Sequence, residues 1–473
     1  MLSKSNFLMY LDCPRHLWAY AHGKIDKRKI DEYIRHLSDQ GYEVEKEGVN
    51  YINDIIKKRD NLSDKQIAFQ VNVTDDQFQA RVDSLVFNPF TSKYDIYEIK
   101  SSTKVEKNHI YDIAFQWLIL EKEYELGNAY VLYLKKDYIL QENLDLSQLF
   151  SISDVTNDVL NILDYVKQAR SEAIDVMNNQ TLDLCQTCYK PKDCICIDLC
   201  HPKLPEYSIY DLNRITPKKI DLLLENNILD FTEIPNNFKL TDIQKNQLEV
   251  AKLGHEIIDL PKLKDELSNI EFPLYFIDYE TYNPAIPYLH GYKAYDQIPF
   301  QWSLHILTEQ GGLSHFEFIE TLVADPAPFF IEKLQKLISN QGSLMVWNKS
   351  FEASRNKRIS EIYPEYSSFC EEMNSRMFDL MDIFKKQIYD HPQFKGSYSI
   401  KNVLPVLSPD LSYKSLKIQH GAAAMVGWKD MVFGNISESE KEIIRKNLLE
   451  YCKQDTFAMV RIYQELVKLI HNI

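Results

Sequence analysis

Alternating apolar and polar residues early in the chain predict a small β-sheet. We predict strands over Ile67 to Val73, Phe78 to Val86 and Tyr94 to Ile99, where β-branched and aromatic residues recur. The apolar residues around Gln116 recur at helical spacing, and a buried strand from Ala129 to Leu134 follows them. The order of strand, strand, helix and strand predicts an α/β domain.

Helical patterns lie on both sides of this sheet. Residues 1–22 predict a helix that is interrupted near Pro14, and Gly41 to Lys58 predict an amphipathic helix. Residues 206–270 are polar and helical in pattern, so we predict a helical connector there. These patterns place the boundary of the first domain near residue 205, which makes it residues 1–205.

The second half of the chain predicts another α/β domain, over residues 271–473. Its strongest strand pattern is the apolar run from Leu274 to Thr281, and Phe300 to Leu307 alternates as a second strand. A helix over Ala327 to Ile338 is predicted to lead into a short buried strand at Leu344 to Trp347.

Two acidic residues lie within the strongest strand. Asp278 and Glu280 are two residues apart, so both carboxylates leave the same face of the strand. Hard cations such as Mg²⁺ prefer oxygen ligands, and paired metal ions assist phosphoryl displacement. The alternative is that these acids are solvated or cap a local turn.

A similar pattern lies on the strands of the first domain. Asp83 is on one predicted strand, while Glu98 and Lys100 are two residues apart on the next. Two carboxylates can hold a metal ion, and a nearby lysine can lower the pKa of an attacking water molecule. An exposed cross-strand salt bridge is the alternative.

Composition narrows the class of protein. The chain has 473 residues, 45% of them hydrophobic and 26% charged, which predicts two or three soluble globular domains. The net charge of −15 disfavours a protein that coats nucleic acid through a basic surface. The apolar runs are too short to span a bilayer, so we expect a cytoplasmic protein without a membrane segment.

Cysteines form a cluster of their own. Five of the eight cysteines lie within sixteen residues, and a disulfide framework is not expected in a cytosolic chain. Thiolate ligands suit both zinc and iron–sulfur clusters, so the residues alone leave the metal open. The clustered cysteines are Cys185, Cys188, Cys194, Cys196 and Cys200.

Residues 1–205 resemble the RecB-like branch of the PD-(D/E)XK nucleases, including the CRISPR-associated and AddB-type enzymes that carry an iron–sulfur cluster. The resemblance lies in Asp83, the triplet Glu98-Ile99-Lys100 and Gln116. It implies catalytic roles for these residues, and it suggests Glu45 as an acidic metal ligand on an upstream helix. Leu120 stands where the motif usually has a tyrosine.

The same resemblance implies four cysteine ligands, one from the first helix and three from the end of the domain. The favoured set is Cys13 with Cys188, Cys194 and Cys200, and Cys185 is an alternative ligand. The implied cofactor is a 4Fe-4S cluster, with zinc as the alternative. Without the later cysteine cluster, Cys13 would be interpreted as a buried core residue.

Residues 272–465 resemble the DnaQ-like 3′→5′ exonucleases of the tyrosine type. Three motifs carry the resemblance: Asp278-x-Glu280, Asn348 to Glu352, and Tyr451 four residues before Asp455. It implies that the four acids bind two Mg²⁺ or Mn²⁺ ions and that Tyr451 orients the attacking water. Glu352 stands where the motif usually has aspartate.

The second half also resembles an uncharacterised bacterial domain-of-unknown-function family whose members carry the same nuclease-like first half. One of its shared stretches, Gly396 to Lys401, is read as a turn and helix cap, with a strand-binding groove as the alternative.

Together these patterns predict an α/β multidomain protein with a PD-(D/E)XK restriction-endonuclease-like domain and an RNase H-like, DnaQ-like exonuclease domain. We expect a metal-dependent phosphodiesterase with two nuclease centres that acts on single-stranded nucleic acid, with DNA favoured over RNA. Repair or CRISPR-linked proteins are the expected partners. The alternative is a nucleic-acid binding or scaffold protein in which one or both centres are inactive.

Overall fold

A computed structural model describes residues 1–25, 32–181 and 188–471 of the protein. The chain has a mixed α/β architecture and divides into two compact units. The first unit comprises the described residues of 1–186 together with 193–200 and 283–296, and the second comprises those of 187–192, 201–282 and 297–473. The predicted connector, residues 206–270, therefore falls within the second unit, whereas residues 283–296 fall within the first.

The secondary structure of the first unit follows the predicted pattern. The first helix breaks before Pro14, and the predicted helix at Gly41 to Lys58 is longer than expected, because it begins at Glu32 and continues through a π-helical turn at Ile52–Ile56. The helices are α1 (Lys4–Asp12), α2 (Pro14–Ala21), α3 (Glu32–Tyr51), α4 (Lys57–Arg59), α5 (Lys107–Leu120), α6 (Leu146–Leu149), α7 (Thr156–Asn178) and α8 (Ile197–Cys200). The strands are β1 (Leu2–Ser3), β2 (Ile67–Thr74), β3 (Phe78–Asn88), β4 (Lys93–Lys100), β5 (Leu126–Leu134) and β6 (Phe150–Asp154).

Within the described part of the first unit, six strands form one mixed sheet in which β3, β4, β5 and β6 are successive neighbours. β4 and β5 are parallel, and α5 makes the crossover between them. Side chains of β4 alternate between two cores. Ile96 packs with Phe7 and Phe115 on one face, whereas Tyr97 and Ile99 pack with α3 residues on the other. The sheet is therefore covered by helices on both faces.

The second unit contains the remaining elements. Its helices are α9 (Pro217–Glu225), α10 (Asp242–Leu253), α11 (Leu260–Ser268), α12 (Ala327–Gln335), α13 (Lys349–Ile362), α14 (Ser367–Ser375), α15 (Met381–Lys385), α16 (Ile400–Leu407), α17 (Gly421–Phe433) and α18 (Glu438–His471). Its strands are β7 (Ile257–Ile258), β8 (Leu274–Tyr282), β9 (Ile298–Leu307), β10 (Leu313–Ile319), β11 (Ser343–Val346), β12 (Met377–Asp379) and β13 (Tyr389–Asp390). Across the described ranges of the chain, no helix is both long enough and apolar enough to cross a bilayer.

Among the described residues of the second unit, five strands form the main sheet, in the order β10-β9-β8-β11-β12. β8, β9 and β10 form an antiparallel meander, while β11 and β12 run parallel to β8. The central strand β8 alternates strictly between two layers. Tyr275, Ile277 and Tyr279 pack in the core formed with α12, α13 and α14, so Asp278 and Glu280 project from the opposite face, which α18 covers.

Candidate functional sites

Three carboxylates meet beside the central strand of the second unit. Asp278 and Glu280 come from β8 and Asp455 comes from α18, and one carboxylate oxygen of each lies within 4.8 Å of the others. Glu280 and Asp455 are buried, while Asp278 is partly exposed. The spacing of two acids on one strand face and the crossing of α18 thus build a group that can hold a metal ion.

Polar contacts beneath α18 hold its acidic face against β8 and β9. The Thr456 hydroxyl lies 2.7 Å from the Ser303 hydroxyl and 2.8 Å from Nδ1 of His305, and all three residues are buried. On the neighbouring turn, the Cys452 thiol donates to a carboxylate oxygen of Asp278 at 3.6 Å. These contacts fix the rotation of the helix, and therefore the direction in which Asp455 points.

Glu352, on α13, is a further buried acid whose charge contributes to the raised pKa values of Asp278 and Glu280. The start of this helix is held by Asp379, which accepts the backbone N–H groups of Asn348 and Lys349 at 3.0 and 2.8 Å. Glu352 is 1% exposed, and its Oε2 atom has no hydrogen-bond partner among the described residues. Burial, and then the charge of Asp379, raises the pKa of Glu352 to about 8. A buried carboxylate oxygen with an open coordination position is the feature expected of a metal ligand.

The charges of these acids are poorly compensated by protein groups. Within the described residues, none of the four carboxylates forms an ion pair. Burial and the neighbouring negative charges raise the pKa values of Asp278 and Glu280 well above their ordinary range, and burial raises that of Asp455 to about 6. The carboxylates of Asp278, Glu280, Glu352 and Asp455 therefore fit a divalent cation, which would supply the missing positive charge.

Two further residues belong to this site: Tyr413, which is absent from the sequence prediction, and Lys401, which the sequence analysis considered only as part of a possible strand-binding groove. The Tyr413 hydroxyl donates a hydrogen bond of 2.6 Å to Asp455, and burial raises the pKa of that hydroxyl far above its ordinary range. The ammonium group of Lys401 lies 5.5 Å from the ring centroids of both Tyr413 and Tyr451. Its positive charge opposes the pKa increases of Glu280 and Asp455. Lys401 would therefore supply positive charge to an anion bound next to these acids.

The stretch that ends at Lys401 is a turn and helix cap, as predicted. Gly396 adopts a φ of +72°, and a Cβ there would collide with the side chain of Gln247. The indole N–H of Trp347 donates to the Tyr398 carbonyl at 3.1 Å, and the Ser399 side chain caps α16. This anchoring places Lys401 in the first turn of α16.

The predicted residues of the first unit also come together. Lys100 donates to Glu98 at 2.7 Å, and Gln116 on α5 donates to the other oxygen of Glu98 at 2.8 Å. A carboxylate oxygen of Asp83 accepts the backbone N–H of Ile99 at 2.9 Å. Burial and the charge of Glu98 raise the pKa of Asp83 to about 8. β3, β4 and α5 therefore assemble these four side chains as the pattern predicts.

Two residues that the sequence pattern did not identify complete this cluster. Lys4 on α1 lies 3.0 Å from Glu98 and 3.0 Å from Asp112 on α5. Lys100 and Gln116 also donate to Asp112, at 2.5 and 2.9 Å. Burial alone would raise the pKa of Glu98, but attraction to Lys100 and Lys4 outweighs it and holds that pKa well below its ordinary range. We call Lys4, Glu98, Lys100, Asp112 and Gln116 the lysine–carboxylate network.

Glu45, the weakest of the predicted metal ligands, has other contacts. Its carboxylate accepts a hydrogen bond from Gln70 and lies 3.6 Å from the guanidinium of Arg81. Both partners belong to the β2–β3 hairpin. The structure therefore joins Glu45 to this hairpin, and its role as a metal ligand stays a prediction.

The predicted cluster cysteines are divided between the two units. Cys13, Cys194 and Cys200 belong to the first unit, and Cys188 to the second. The alternative ligand, Cys185, lies outside the described residues. Buried Cys196 has a pKa raised to about 12 by burial and by Cys194, Cys200 and Cys13. Next to this group, Nε2 of His16 lies 3.2 Å from the sulfur of Cys194. Iron–sulfur or zinc binding stays a prediction.

Comparison with known proteins gives matches of unassigned function. Residues 275–399 match a family described as Domain of unknown function (DUF2779). Over 248 residues, the chain is 29% identical to uncharacterized protein UU173 of Ureaplasma parvum, a match that covers 48% of this chain and 34% of that protein. It is also 26% identical over 228 residues to uncharacterized protein MG366 of Mycoplasma genitalium, covering 44% and 34% of the two chains. The chain thus spans about a third of the length of these curated relatives.

Among solved structures, the crystal structure of SSO0001 is similar over 43% of this chain and 86% of that one. The match has 14% sequence identity and a TM-score of 0.25.

Proposed function

We propose that the second unit is a metal-dependent 3′→5′ exonuclease that acts on single-stranded nucleic acid, with DNA favoured over RNA. The observation that carries this proposal is the convergence of three carboxylates that lack ion pairs among the described residues, with the buried acid Glu352 acting electrostatically on two of them. The three are Asp278, Glu280 and Asp455.

The topology of the sheet supports the same proposal. An antiparallel meander of three strands, followed by two strands parallel to the first, is the arrangement expected of an RNase H-like fold. The acids leave its central strand and the helix that crosses it, as the resemblance to DnaQ-like enzymes implies. This likeness concerns where the acidic residues lie in the fold. It adds a proposed fold family to the observed mixed α/β architecture.

Each side chain would then have a defined task. The three carboxylates and Glu352 would hold Mg²⁺ or Mn²⁺, and a pair of such ions supplies positive charge to the attacking and leaving oxygens of a phosphodiester. Tyr451, one helical turn before Asp455, would orient the attacking water. Tyr413 would keep Asp455 in place through its hydrogen bond. Lys401 would contact a phosphate oxygen, because its ammonium group lies next to both tyrosine rings.

A preference for single strands follows from the depth of the acids. Glu280 is 8% exposed and Asp455 is 7% exposed. A terminal phosphodiester must therefore leave a base-paired duplex before it can reach these carboxylates. Unpaired ends meet that requirement at lower free-energy cost than paired ends.

The test is degradation of 5′-labelled single-stranded DNA and RNA by the full chain in Mg²⁺ or Mn²⁺. We expect a ladder that shortens from the 3′ end, and a loss of roughly 1,000-fold or more in Asp278→Asn. Asp242→Asn is the matched control, because Asp242 is an acid whose side chain is 99% exposed on a distant helix. Circular dichroism checks that each variant is folded.

Two results would contradict the proposal. One is the absence of cleavage of either polymer by metal-loaded wild-type protein. The other is cleavage that Asp278→Asn leaves intact, because the activity would then belong to a different centre. Equal rates on duplex and single-stranded ends would contradict the substrate preference alone.

A further inference from the structure

The lysine–carboxylate network of the first unit differs from a metal centre in one contact. Lys4 places its ammonium group 3.0 Å from Glu98 and 3.0 Å from Asp112, so it bridges a strand acid and a helix acid. Its side chain is 20% exposed. A bridging position between two carboxylates is where a divalent cation would be expected to bind.

The other donors of the network occupy the remaining oxygens. One oxygen of Glu98 accepts from Lys4 and Lys100, and the other accepts from Gln116. On Asp112, one oxygen faces Lys4 and Gln116, and the other accepts from Lys100. All four carboxylate oxygens of this acid pair therefore have a donor. The arrangement contrasts with Glu352, whose Oε2 has none among the described residues.

Lys4 is held in this position by the structure around it. Leu2 is fully buried and pairs with Phe78 of β3, while Ser3 caps α1 by accepting the backbone N–H of Asn6 at 3.2 Å. One turn further on, the ring of Phe7 stacks on a core aromatic ring of α5 at 5.0 Å. The backbone on both sides of Lys4 is thus anchored, and its ammonium group is directed into the network.

The charges of the network balance without a metal ion. Two lysines face the two carboxylates of Glu98 and Asp112, at distances of 2.5 to 3.0 Å. A divalent cation bound to these acids would lie against two ammonium groups, which repel it. As arranged, Glu98, which the nuclease resemblance pairs with Asp83 as a metal ligand, does not fit the implied metal ion.

We propose that Lys4 is a built-in cation that takes the place of the divalent metal in the first unit. While Lys4 bridges Glu98 and Asp112, this centre binds neither Mg²⁺ nor Mn²⁺. Asp83 and Glu98 are then available to a metal ion only after the charge of Lys4 is withdrawn. This inference is independent of the exonuclease activity proposed for the second unit.

The test is Mn²⁺ stoichiometry, measured by electron paramagnetic resonance on the full chain after removal of metal with a chelator. The background variant is Asp278→Asn, which disables the centre of the second unit. In this background we expect Asp83→Asn to leave the number of bound ions unchanged. We expect Lys4→Met to gain one Mn²⁺ per chain, and Asp83→Asn to remove the gained ion again.

Two control variants distinguish the loss of the Lys4 charge from a general loss of structure. Lys122→Met removes an exposed lysine that pairs with Asp75 at 2.8 Å, and we expect it to gain no ion. Lys4→Arg keeps the positive charge and is also expected to gain none. If Lys4→Met does not fold, Lys4→Gln replaces it, because glutamine retains a donor for Glu98.

Either of two outcomes would overturn the inference. A bound Mn²⁺ that the Asp278→Asn background loses on Asp83→Asn would mean that the centre binds metal with Lys4 in place. A folded Lys4→Met or Lys4→Gln variant that gains no ion would mean that Lys4 is not what keeps the metal out. The comparison of the Asp278→Asn background with and without Asp83→Asn decides the first point even if every Lys4 variant is unstable.

Discussion

Each unit of this protein carries a cluster of acids on the central part of a mixed sheet, and the two clusters differ in what neutralises them. In the first unit, Glu98 accepts from Lys4 and Lys100 at 3.0 and 2.7 Å. In the second, Asp278 and Glu280 form no ion pair within the part of the chain that the structure describes. Both clusters consist of acids on a strand and on a neighbouring α-helix, so the acids alone do not define a metal centre. Whether a metal ion can bind depends on the cations that lie next to the acids.

The directions of the pKa shifts express this difference. Lysine neighbours overcome burial and lower the pKa of Glu98, whereas burial and like charges raise those of Asp278 and Glu280. A lowered pKa means that the carboxylate already has positive charge beside it. A raised pKa means that such compensation is weak, which also holds for Asp83 of the first unit, whose pKa burial and the charge of Glu98 raise to about 8.

The largest expected effect is on the stability of the first unit. Lys4→Met leaves Glu98 and Asp112 with one lysine, and removing one partner of a buried ion network costs about 3 kcal/mol or more. Chemical denaturation in the presence of a chelator measures this. Lys122→Met, which removes a surface pair, should cost less than about 1 kcal/mol. Equal losses in the free energy of unfolding for the two variants would mean that the network stabilises the protein no more than a surface ion pair does.

The second prediction concerns stabilisation by metal. Mn²⁺ at about 100 times its dissociation constant should stabilise the wild-type protein by about 2.7 kcal/mol, because the folded state binds it and the unfolded state does not. Asp455→Asn should remove most of this gain, since that carboxylate contributes one of the three converging oxygens. Asp83→Asn should retain it. Thermal unfolding with and without Mn²⁺ measures the stabilisation by metal in each variant. If Asp83→Asn lost this stabilisation, the metal ion would bind in the first unit and the contrast between the two units would be wrong.

The third prediction is a pH dependence in metal-free protein. The pKa of Glu352 is raised from 4.5 to about 8, so the stability associated with its protonated form is fully present below pH 4.5 and is lost as the pH rises through about 8. Glu352→Gln stays neutral, so its stability relative to wild type should rise by about 1.4 kcal/mol per pH unit between these pH values, which is about 2 kcal/mol over roughly 1.5 pH units. Urea denaturation at several pH values measures the difference. A difference that is constant with pH would exclude a buried, uncompensated Glu352.

The smallest expected effect concerns Tyr413. Tyr413→Phe removes the hydrogen bond to Asp455, which costs about 1 kcal/mol and should weaken Mn²⁺ binding by roughly 5-fold. The matched control is Tyr295→Phe, which removes a 2.7 Å hydrogen bond from a tyrosine hydroxyl to the Ser101 carbonyl in the first unit. Both variants should lose stability, but only the first should lose metal affinity. Equal metal affinities would mean that Tyr413 does not position Asp455.

Much of each cluster could be predicted from local sequence. Residues two apart on a strand share a face, which is why the spacing alone pairs Asp278 with Glu280, and Glu98 with Lys100. The helix that carries Tyr451 and the turn that precedes α16 are equally local features. The predicted domain boundaries at 205 and 270 could not anticipate that residues 283–296 pack within the first unit, because that packing depends on contacts distant in sequence.

The sequence by itself determined the strands, the helices and the acids that each would present, because side-chain periodicity depends only on neighbours along the chain. The tertiary structure alone decided which charges meet those acids. Lys4 reaches Glu98 across ninety-four positions, and Tyr413 reaches Asp455 across forty-two. Coulomb energies depend on distance in space and on burial, which no spacing motif records. For that reason one acidic pattern became a balanced ion network and the other a candidate metal centre.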